Sequence, residues 1–284
     1  MVSGALRSAV AAFLLTTCAF TTISCAGGEP ERVVAVGADS STESVLLAQI
    51  YAQALARTGT AAVVRDSATP MADLDAGRIT VLPARNGALL DRWNPESAAN
   101  TPAAVGAAVN AALPQGLSVS DPADGTDLRP RLLVTPELGI TTVADLDPRC
   151  AELTAGTATV AGLDPVRVPA VAGCAVRTAR AYPDPAALRH ALRAGEVGVG
   201  IVNGPPADPD LADLLVLDDP DYALRAENIL TVYRSGVFDR RQLKKLNYVA
   251  GELTTEELVD LVRQAENGAE ASVLARTWLD DHGL

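Results

Sequence analysis

The fold class is indicated most clearly by the stretch from Val33 to Gly59, VVAVGADSSTESVLLAQIYAQALARTG. It opens with a short, valine-rich apolar run, which is typical of a buried strand. Ser40 then stands three residues before Glu43, as in the Ser-x-x-Glu capping box that begins many helices. Apolar residues recur at helical spacing until Gly59, a residue suited to ending a helix. The stretch therefore predicts a strand, a polar loop and a helix.

The predicted loop at Ser40 and Ser41 is a candidate ligand-binding feature. It places hydroxyl groups and free backbone N–H groups at a helix N-terminus, where the helix dipole favours polar or anionic groups of a small ligand. The alternative is an ordinary strand–helix unit of an α/β domain, with serines that serve only the helix start. This stretch alone is compatible with both interpretations.

Residues 1–24 have the pattern of an export signal that is removed from the mature protein. A single arginine and an apolar run lead to Thr22-Ile23-Ser24-Cys25. This ending resembles a bacterial lipobox, which implies that Cys25 is diacylated and that residues 25–32 tether the chain to the outer face of the cytoplasmic membrane. Two alternatives remain open: plain secretion with cleavage near Ala26, and an uncleaved membrane helix, for which the apolar run is short.

Only Cys150 and Cys174 remain after the signal. An exported chain meets an oxidising compartment, so this pair predicts one disulfide. The bond would close a loop of about 24 residues and stabilise the fold by roughly 3 kcal/mol. The alternative is a pair of buried free thiols. No metal site is predicted, because the chain has two histidines and no Cys-x-x-Cys pair.

Charge and motifs exclude several classes of function. The net charge is −12, and the lysines are confined to Lys244 and Lys245. Nucleic acid is therefore not expected as a partner, because phosphate binding needs a basic face. The chain has no nucleophile elbow, P-loop, zinc-protease helix or calcium loop. We accordingly predict no catalytic residues and no cofactor: the protein is not expected to be an enzyme.

Predicted strands and helices alternate along the mature chain, which indicates mostly parallel sheets covered by helices. The expected α/β fold has two lobes: residues 33–135 and 227–284 form the first, and residues 136–226 form the second. Small or polar loops follow four of the predicted strands, at residues 38–41, 83–86, 156–157 and 203–205. Ligands bind beyond the carboxyl ends of parallel strands. We therefore expect a ligand cleft between the lobes.

Several segments carry a family pattern that spans nearly the whole mature chain. Besides the opening stretch, Pro83–Gly87 matches a Pro-Glu-Tyr-Thr-Gly element, Val202–Pro205 matches a strand that leads to Thr-Thr-Asp-Pro, and Trp278–Leu284 matches the family's ending. The chain thus resembles the substrate-binding lipoproteins of osmoprotectant ABC importers, which bind glycine betaine, choline and related quaternary amines. The resemblance implies a two-lobed type 2 periplasmic-binding-protein fold and a monomer that delivers a small polar solute to ABC permease subunits.

The sequence departs from this family where the ligand is held. The family surrounds trimethylammonium with aromatic rings, which attract the cation through their faces. Here Arg85 replaces the tyrosine of the Pro-Glu-Tyr-Thr-Gly element, Glu227 stands where some members carry a tyrosine, and aromatic residues make up only 4% of the chain. We therefore expect an altered ligand. The predicted ligand contacts are Ser40, Ser41, Arg85, Asn86, Thr157, Asn203 and Glu227.

Each predicted contact has an expected role. The serines, the asparagines and Thr157 would hydrogen-bond, Arg85 would pair with an anionic group, and Glu227 would take a cationic group or a hydroxyl. The alternative function is a membrane-anchored sensor or interaction lipoprotein that kept the fold and lost the ligand. A permease or ATPase gene beside this one would favour import, and an isolated gene would favour the alternative.

Overall fold

The computed structural model describes residues 33–166, 179–203 and 213–284. In these residues, two five-stranded sheets are flanked by helices. The strands are β1 (Val34–Ala38), β2 (Ala62–Asp66), β3 (Val81–Arg85), β4 (Leu117–Val119), β5 (Arg131–Val134), β6 (Ala155–Ala158), β7 (Ala179–Ala181), β8 (Val199–Val202), β9 (Leu215–Val216) and β10 (Ile229–Arg234). The α-helices are α1 (Thr42–Ala56), α2 (Pro70–Asp75), α3 (Asn86–Trp93), α4 (Pro102–Ala112), α5 (Pro185–Arg193), α6 (Arg240–Glu252), α7 (Thr255–Glu266) and α8 (Ala271–Asp281).

The first sheet has the order β2-β1-β3-β10-β4, and the second has the order β7-β6-β8-β5-β9. In each sheet one strand runs against the others: β10 in the first and β5 in the second. These are the strands by which the chain enters each sheet from the other one. The predicted α/β fold of two lobes with mostly parallel sheets is confirmed.

Two local predictions differ from the structure. Strand β5 was expected in the first lobe, before a boundary at residue 135, but Leu132 pairs with Ile201 of the second sheet. A run of buried apolar residues predicts a strand without telling which sheet it joins, and the chain therefore crosses between the sheets before Arg131. The polar character of residues 118–129 predicts a loop, but β4 overlaps its first two residues, because this three-residue stretch pairs with β10 at the edge of the sheet.

The start of α1 also corrects a prediction. Ser41, not Ser40, is the N-cap: its hydroxyl accepts the backbone N–H of Ser44 at 3.2 Å. Ser40 is exposed one residue earlier. The predicted capping box is not formed, because the side chain of Glu43 turns away from the helix start and binds Arg85. The sequence pattern located the helix correctly and misassigned its acidic residue.

Helix α1 lies at the centre of the first lobe. Its Leu46, Ile50 and Tyr51 are fully buried against β1, α6, α7 and α8. In the second lobe, Cys150 lies buried at the end of a 3-10 helix, Val143–Glu152, and is disulfide-bonded. Its predicted partner Cys174 lies outside the described residues, as do the signal and Cys25. The Cys150–Cys174 pairing stays a prediction.

Candidate functional site

A cavity of about 270 Å³ lies between the two sheets. Asp39 follows β1, Arg85 ends β3, and Glu227 precedes β10 on the side of the first lobe. Asp164 follows β6 and Asn203 follows β8 on the side of the second lobe. The cavity is thus lined at the carboxyl edges of both sheets, where parallel strands offer loops to a ligand.

A second cavity of about 240 Å³ adjoins the first and shares Asp39, Arg85, Ala88 and Asp164 with it. It extends into the first lobe between α1, α2, β3 and α3. Several apolar side chains line it: Leu47, Pro70, Met71, Leu82, Pro83, Leu89 and Ile229. The two cavities share a wall of ionisable residues.

Arg85 is the centre of that wall. Side chains alternate along β3, so Arg85 projects to the same face as Val81, which packs against α1. Its Nη2 donates to Glu43 Oε2 at 2.6 Å and its Nε donates to Glu43 Oε1 at 3.1 Å. Its Nη1 donates to Glu227 Oε2 at 3.3 Å, and Asp164 Oδ2 lies 3.8 Å from Nε. One guanidinium therefore faces three carboxylates.

Burial and pairing act in opposite directions on this cluster. Burial raises the pKa of Glu43, and the charge and hydrogen bonds of Arg85 counteract part of that rise. Burial lowers the pKa of Arg85, but the carboxylates of Glu43, Glu227 and Asp164 outweigh it, and the net pKa lies above its ordinary value. Arg85 remains a cation, as arginine does throughout proteins.

The charge of the first cavity is dominated by carboxylates. Among its described lining residues, Arg85 is the only cation, whereas Asp39, Asp164 and Glu227 are acidic. Glu43 already matches the charge of Arg85 from behind the wall. The expected role of Arg85, pairing with an anionic ligand group, does not fit this arrangement, because its donors are directed at protein oxygens. The field of the described walls favours a cation.

No described residue that lines either cavity is aromatic. Phe13 and Phe20 precede residue 32, and the other eight aromatic residues of the chain all lie in the described parts. Their places are elsewhere: Tyr51 and Trp278 lie in the core of the first lobe, and Tyr222 covers Arg129. An aromatic cage therefore has no residues from which it could form at these walls.

The loop after β6, residues 160–166, docks on the start of α1. Glu43 donates its backbone N–H to Gly162 O at 2.8 Å, and Asp164 donates its backbone N–H to Glu43 Oε2 at 3.2 Å. Leu163 is only 4% exposed and belongs to the core of the first lobe. Asn203 holds the loop from the other side, accepting the N–H of Val160 at 2.7 Å. The two lobes thus meet directly beside the cavity.

The structure brings together part of the predicted site. Arg85, Asn203 and Glu227 line the first cavity, and Ser41 donates its hydroxyl to Asp164 Oδ1 at 3.3 Å. Ser41 itself lines neither cavity, and the same holds for three other predicted contacts, Ser40, Asn86 and Thr157.

These three residues have other places in the fold. Ser40 is exposed. Asn86 is fully buried and accepts the backbone N–H of Asn228 at 2.8 Å. Thr157 lies within β6, between β7 and β8. A polar side chain near the end of a strand can hydrogen-bond either to a ligand or to the protein backbone. The sequence alone does not distinguish these two roles.

Three acidic residues of the site were missed: Asp39, Glu43 and Asp164. Glu43 was assigned to a capping box, and nothing local indicates that its partner lies 42 positions away in β3. Asp39 stands directly before Ser40 and Ser41, which the sequence predicts as ligand contacts. The signal that was available is the position of Asp39 and Asp164 in loops that follow predicted strands.

Two further classes of site lack support in the parts of the chain that the structure describes. No group of three or more histidine, cysteine or acidic side chains there could hold a metal ion. None of the described helices combines the length and apolar character required to cross a membrane.

Comparison with known proteins gives the family. Residues 32–281 match the model of the substrate-binding domain of ABC-type glycine betaine transport systems. No curated protein sequence matches the chain at a significant level.

Solved structures give the fold. A glycine betaine/carnitine/choline ABC transporter structure is 19% identical over 88% of this chain and 98% of its own, with a TM-score of 0.64. Apo YehZ from Escherichia coli is 20% identical over 88% and 98%, with a TM-score of 0.62. Lactococcal OpuAC, closed around glycine betaine, is 17% identical over 89% and 96%, with a TM-score of 0.51. This chain belongs to the family of substrate-binding domains of ABC-type glycine betaine transport systems.

Proposed function

We propose that this chain is the extracytoplasmic solute-binding component of an ABC importer and that its solute is a small cation bearing N–H groups. The excess of carboxylates around Arg85, in cavities whose described walls contain no aromatic residue, carries this proposal. The protein is a monomer, anchored through an acylated Cys25 on the outer face of the cytoplasmic membrane, and delivers its solute to permease subunits.

The chemistry of ammonium groups separates the proposed solute from glycine betaine and choline. A quaternary ammonium has no N–H group, so aromatic faces are its strongest protein partners. An ammonium or guanidinium with N–H groups instead donates charge-assisted hydrogen bonds to carboxylates. Asp39, Asp164 and Glu227 are acceptors of this kind. The walls therefore suit a hydrogen-bonding cation better than a methylated one.

A zwitterion such as glycine betaine also needs a partner for its carboxylate. Arg85 is the natural candidate, but Glu43 occupies two of its donor nitrogens and Glu227 a third. A carboxylate-bearing solute would have to displace one of these residues. The proposed solute is therefore positively charged overall.

The position of the acidic residues supports a role in lobe closure. Asp39 and Glu227 belong to the first lobe, and Asp164 belongs to a loop of the second. A cation that bonds to both sides favours the closed arrangement, which is the general way in which ligands bias hinged two-lobed proteins. An importer can then recognise the closed, loaded form.

Calorimetric titration with two matched pairs tests the proposal. Ethanolamine and glycine differ from choline and glycine betaine only in the methyl groups on nitrogen. We expect ethanolamine to bind at least about tenfold more tightly than choline. The three methyl groups of choline replace the N–H groups with which ethanolamine donates charge-assisted hydrogen bonds. Glycine betaine is expected not to bind in the micromolar range.

Two variants make the titration specific to the cavity. Glu227→Gln removes one carboxylate from the wall and should weaken ethanolamine binding by at least about tenfold. Glu256→Gln makes the same chemical change on an exposed helical position and should leave binding unaltered. Micromolar binding of glycine betaine or choline would refute the change of specificity.

The alternative function is a membrane-anchored sensor or interaction lipoprotein that has kept the fold without a transported ligand. The same titrations separate it from import. If none of the four compounds binds and the gene stands apart from any permease or ATPase gene, the alternative is favoured. A neighbouring permease gene together with ethanolamine binding favours import.

A further inference from the structure

We propose that Glu43 is a specificity-determining residue that acts as an internal carboxylate: it fills the anion-binding fork of Arg85 and thereby excludes solutes that carry a carboxylate. The inference rests on the proposed function above and adds the residue that sets the charge preference. It concerns a side chain for which the sequence pattern indicated only a helix-capping role.

The contact between the two side chains has the form of a bound carboxylate. The two oxygens of Glu43 accept from two different nitrogens of Arg85, at 2.6 Å and 3.1 Å. Guanidinium and carboxylate groups fit in this bidentate manner, whether the carboxylate belongs to the protein or to a ligand. Glu43 therefore occupies the position in which Arg85 would hold a carboxylate from a solute.

The position is accessible from the ligand cavities. Both Glu43 and Arg85 line the second cavity, and Arg85 also lines the first. The side chain of Glu43 is only 3% exposed, so its carboxylate is largely removed from water. A purely structural ion pair has no need to border a cavity that shares lining residues with the proposed ligand cavity. This pair does border one.

Glu43 is also held by the second lobe. Asp164 donates its backbone N–H to Glu43 Oε2, and Gly162 O accepts the backbone N–H of Glu43. The internal carboxylate is thus fixed by contacts from Arg85 on one side and from the loop at residues 160–166 on the other. Loss of its charge frees donors of Arg85 while Asp39, Asp164 and Glu227 remain.

The first experiment measures selectivity with ethanolamine and glycine, two primary amines with the same two-carbon skeleton. The measured quantity is the ratio of their calorimetric affinities. The unaltered chain should prefer ethanolamine. Glu43→Gln should shift this ratio toward glycine by roughly tenfold or more, because a unit charge is lost within contact distance of the site. Glu43→Asp, which keeps the charge, should retain the original preference.

A double variant tests whether the effect passes through Arg85. Glu43→Gln combined with Arg85→Gln removes both charges, so the freed fork no longer exists. The inference predicts no gain of glycine binding in this variant. A gain of the same size in the single and double variants would show that Arg85 does not mediate the preference and would overturn the inference.

A second measurement remains informative where Glu43→Gln does not fold. Glu43→Ala leaves space beside Arg85 for a carboxylate from solution. Sodium acetate should raise the melting temperature of this variant relative to sodium chloride of equal ionic strength. It should not raise that of the unaltered chain or of Glu43→Ala combined with Arg85→Gln. A variant that acetate does not stabilise, or that stays unfolded in acetate, contradicts the inference.

The outcomes separate this inference from the proposed function. An unaltered chain that binds no ethanolamine, or that prefers choline, defeats the proposed function. An unaltered chain that prefers ethanolamine, with Glu43 variants of unchanged selectivity and no response to acetate, defeats only the role of Glu43.

Discussion

Two buried arginines, Arg85 and Arg129, are built from the same chemistry and have different surroundings. Arg129 is 7% exposed and Arg85 is 8% exposed. Arg129 donates from Nε and Nη2 to Asp127, at 2.9 Å and 2.8 Å, and from Nη1 to Asp219 Oδ2 at 2.9 Å. Each guanidinium thus binds one carboxylate through two nitrogens and a further carboxylate through a third.

The difference lies in the location of the partners. Asp127 belongs to the segment that leads from β4 to β5, and Asp219 belongs to the segment that leads from β9 to β10. Arg129 therefore joins the two chain segments that connect the lobes, and the ring of Tyr222 covers it at 4.3 Å. Arg85 borders the cavities and has a partner from each lobe. We infer that Arg129 fixes the connection whether or not a ligand is bound, whereas the surroundings of Arg85 respond to the ligand.

Loss of the Arg85 charge should have the largest effect on stability. Arg85→Met leaves the buried carboxylate of Glu43 without its cationic partner and with the backbone N–H of Asp164 as a remaining donor, and breaking a buried ion pair on one side typically costs about 3 to 5 kcal/mol. Urea unfolding of the purified protein measures the change. Arg92→Met, at an exposed position of α3, is the matched control and should change the free energy of unfolding by less than about 0.5 kcal/mol.

The same variant should show a characteristic pH dependence. Burial raises the pKa of Glu43 above its ordinary value of 4.5, and the charge and hydrogen bonds of Arg85 oppose that rise. In Arg85→Met this opposing effect is lost. Between pH 4.5 and the folded pKa, the unfolded carboxyl has lost its proton while the folded one retains it, so folding takes up a proton in that range. The stability of Arg85→Met should therefore fall as pH rises through the folded pKa. Equal destabilisation at pH 5 and pH 8 would contradict the assignment.

Loss of the Arg129 charge should have a smaller effect. Asp219 keeps the backbone N–H groups of Ala223 and Leu224, at 2.7 Å and 3.0 Å, so Arg129→Met does not strand it completely. We expect a loss of about 2 to 3 kcal/mol, in line with hydrogen bonds to charged groups. Ligand selectivity should not change, which calorimetry measures. A changed ethanolamine-to-glycine ratio would contradict the separation of the two clusters.

The Arg129 cluster also predicts a loss of stability in acid. Burial would raise the pKa of Asp127, but its hydrogen bond to Arg129 and the charges of Arg131 and Arg129 lower it. The associated stabilisation is present above the unfolded pKa and is lost as pH falls through the folded one. Arg129→Met should lose part of this dependence, and an unchanged acid-unfolding profile would count against the pairing.

The contact between the lobes can be tested at Gly162. This residue has a φ of +79°, and a Cβ there would lie 2.6 Å from Val262 Cγ1. Gly162→Ala should lose about 1 to 2 kcal/mol from backbone strain and should also release the loop from the first lobe. Small-angle scattering should then report a larger radius of gyration.

Gly195→Ala is the matched control for that variant. Gly195 has a φ of +69° and no atom within 4 Å of the position of a Cβ. It therefore carries the strain without the contact. Equal radii of gyration for the two variants would show that the loop does not hold the lobes together.

The smallest effect concerns the start of α1. Ser41→Ala removes the hydroxyl that accepts the N–H of Ser44 and should cost about 1 kcal/mol. Ser40→Ala should cost less than about 0.5 kcal/mol, because Ser40 is exposed outside the helix. Thermal unfolding of both variants compares the two residues, and the reverse order would restore Ser40 as the cap.

Much of the fold could be predicted from local patterns. Helices such as Pro185–Arg193 and Thr255–Glu266 follow apolar periodicity and capping residues, which are local properties. Which sheet a strand joins depends on residues that are distant in sequence. The apolar sequence of β5 predicts a buried strand but does not indicate the strands with which it pairs. The short edge strand β4 was missed for the same reason. Its three residues are too few for a recognisable strand pattern, and its pairing with β10 defines it as a strand.

The candidate site was harder to predict, because its chemistry depends on residues far apart in sequence. Arg85 and Glu227 were found through their departure from a family pattern. Glu43 was not, since a local capping pattern explained it equally well. The consequence is large, because an isolated Arg85 would attract anions, whereas the charge of an Arg85 paired with Glu43 is balanced within the protein. Only the three-dimensional arrangement shows that a carboxylate of the protein balances the charge of Arg85.

The proposed solute of the cleft is a cation with N–H groups. Native mass spectrometry of the protein purified from its own cells, in normal and in deuterated buffer, can identify this solute. The mass of a bound molecule identifies it, and the additional mass in deuterated buffer counts its exchangeable hydrogens. We expect a small cationic adduct with exchangeable hydrogens on nitrogen. An adduct with the mass of glycine betaine or choline, or a protein without any adduct, would refute the proposed solute.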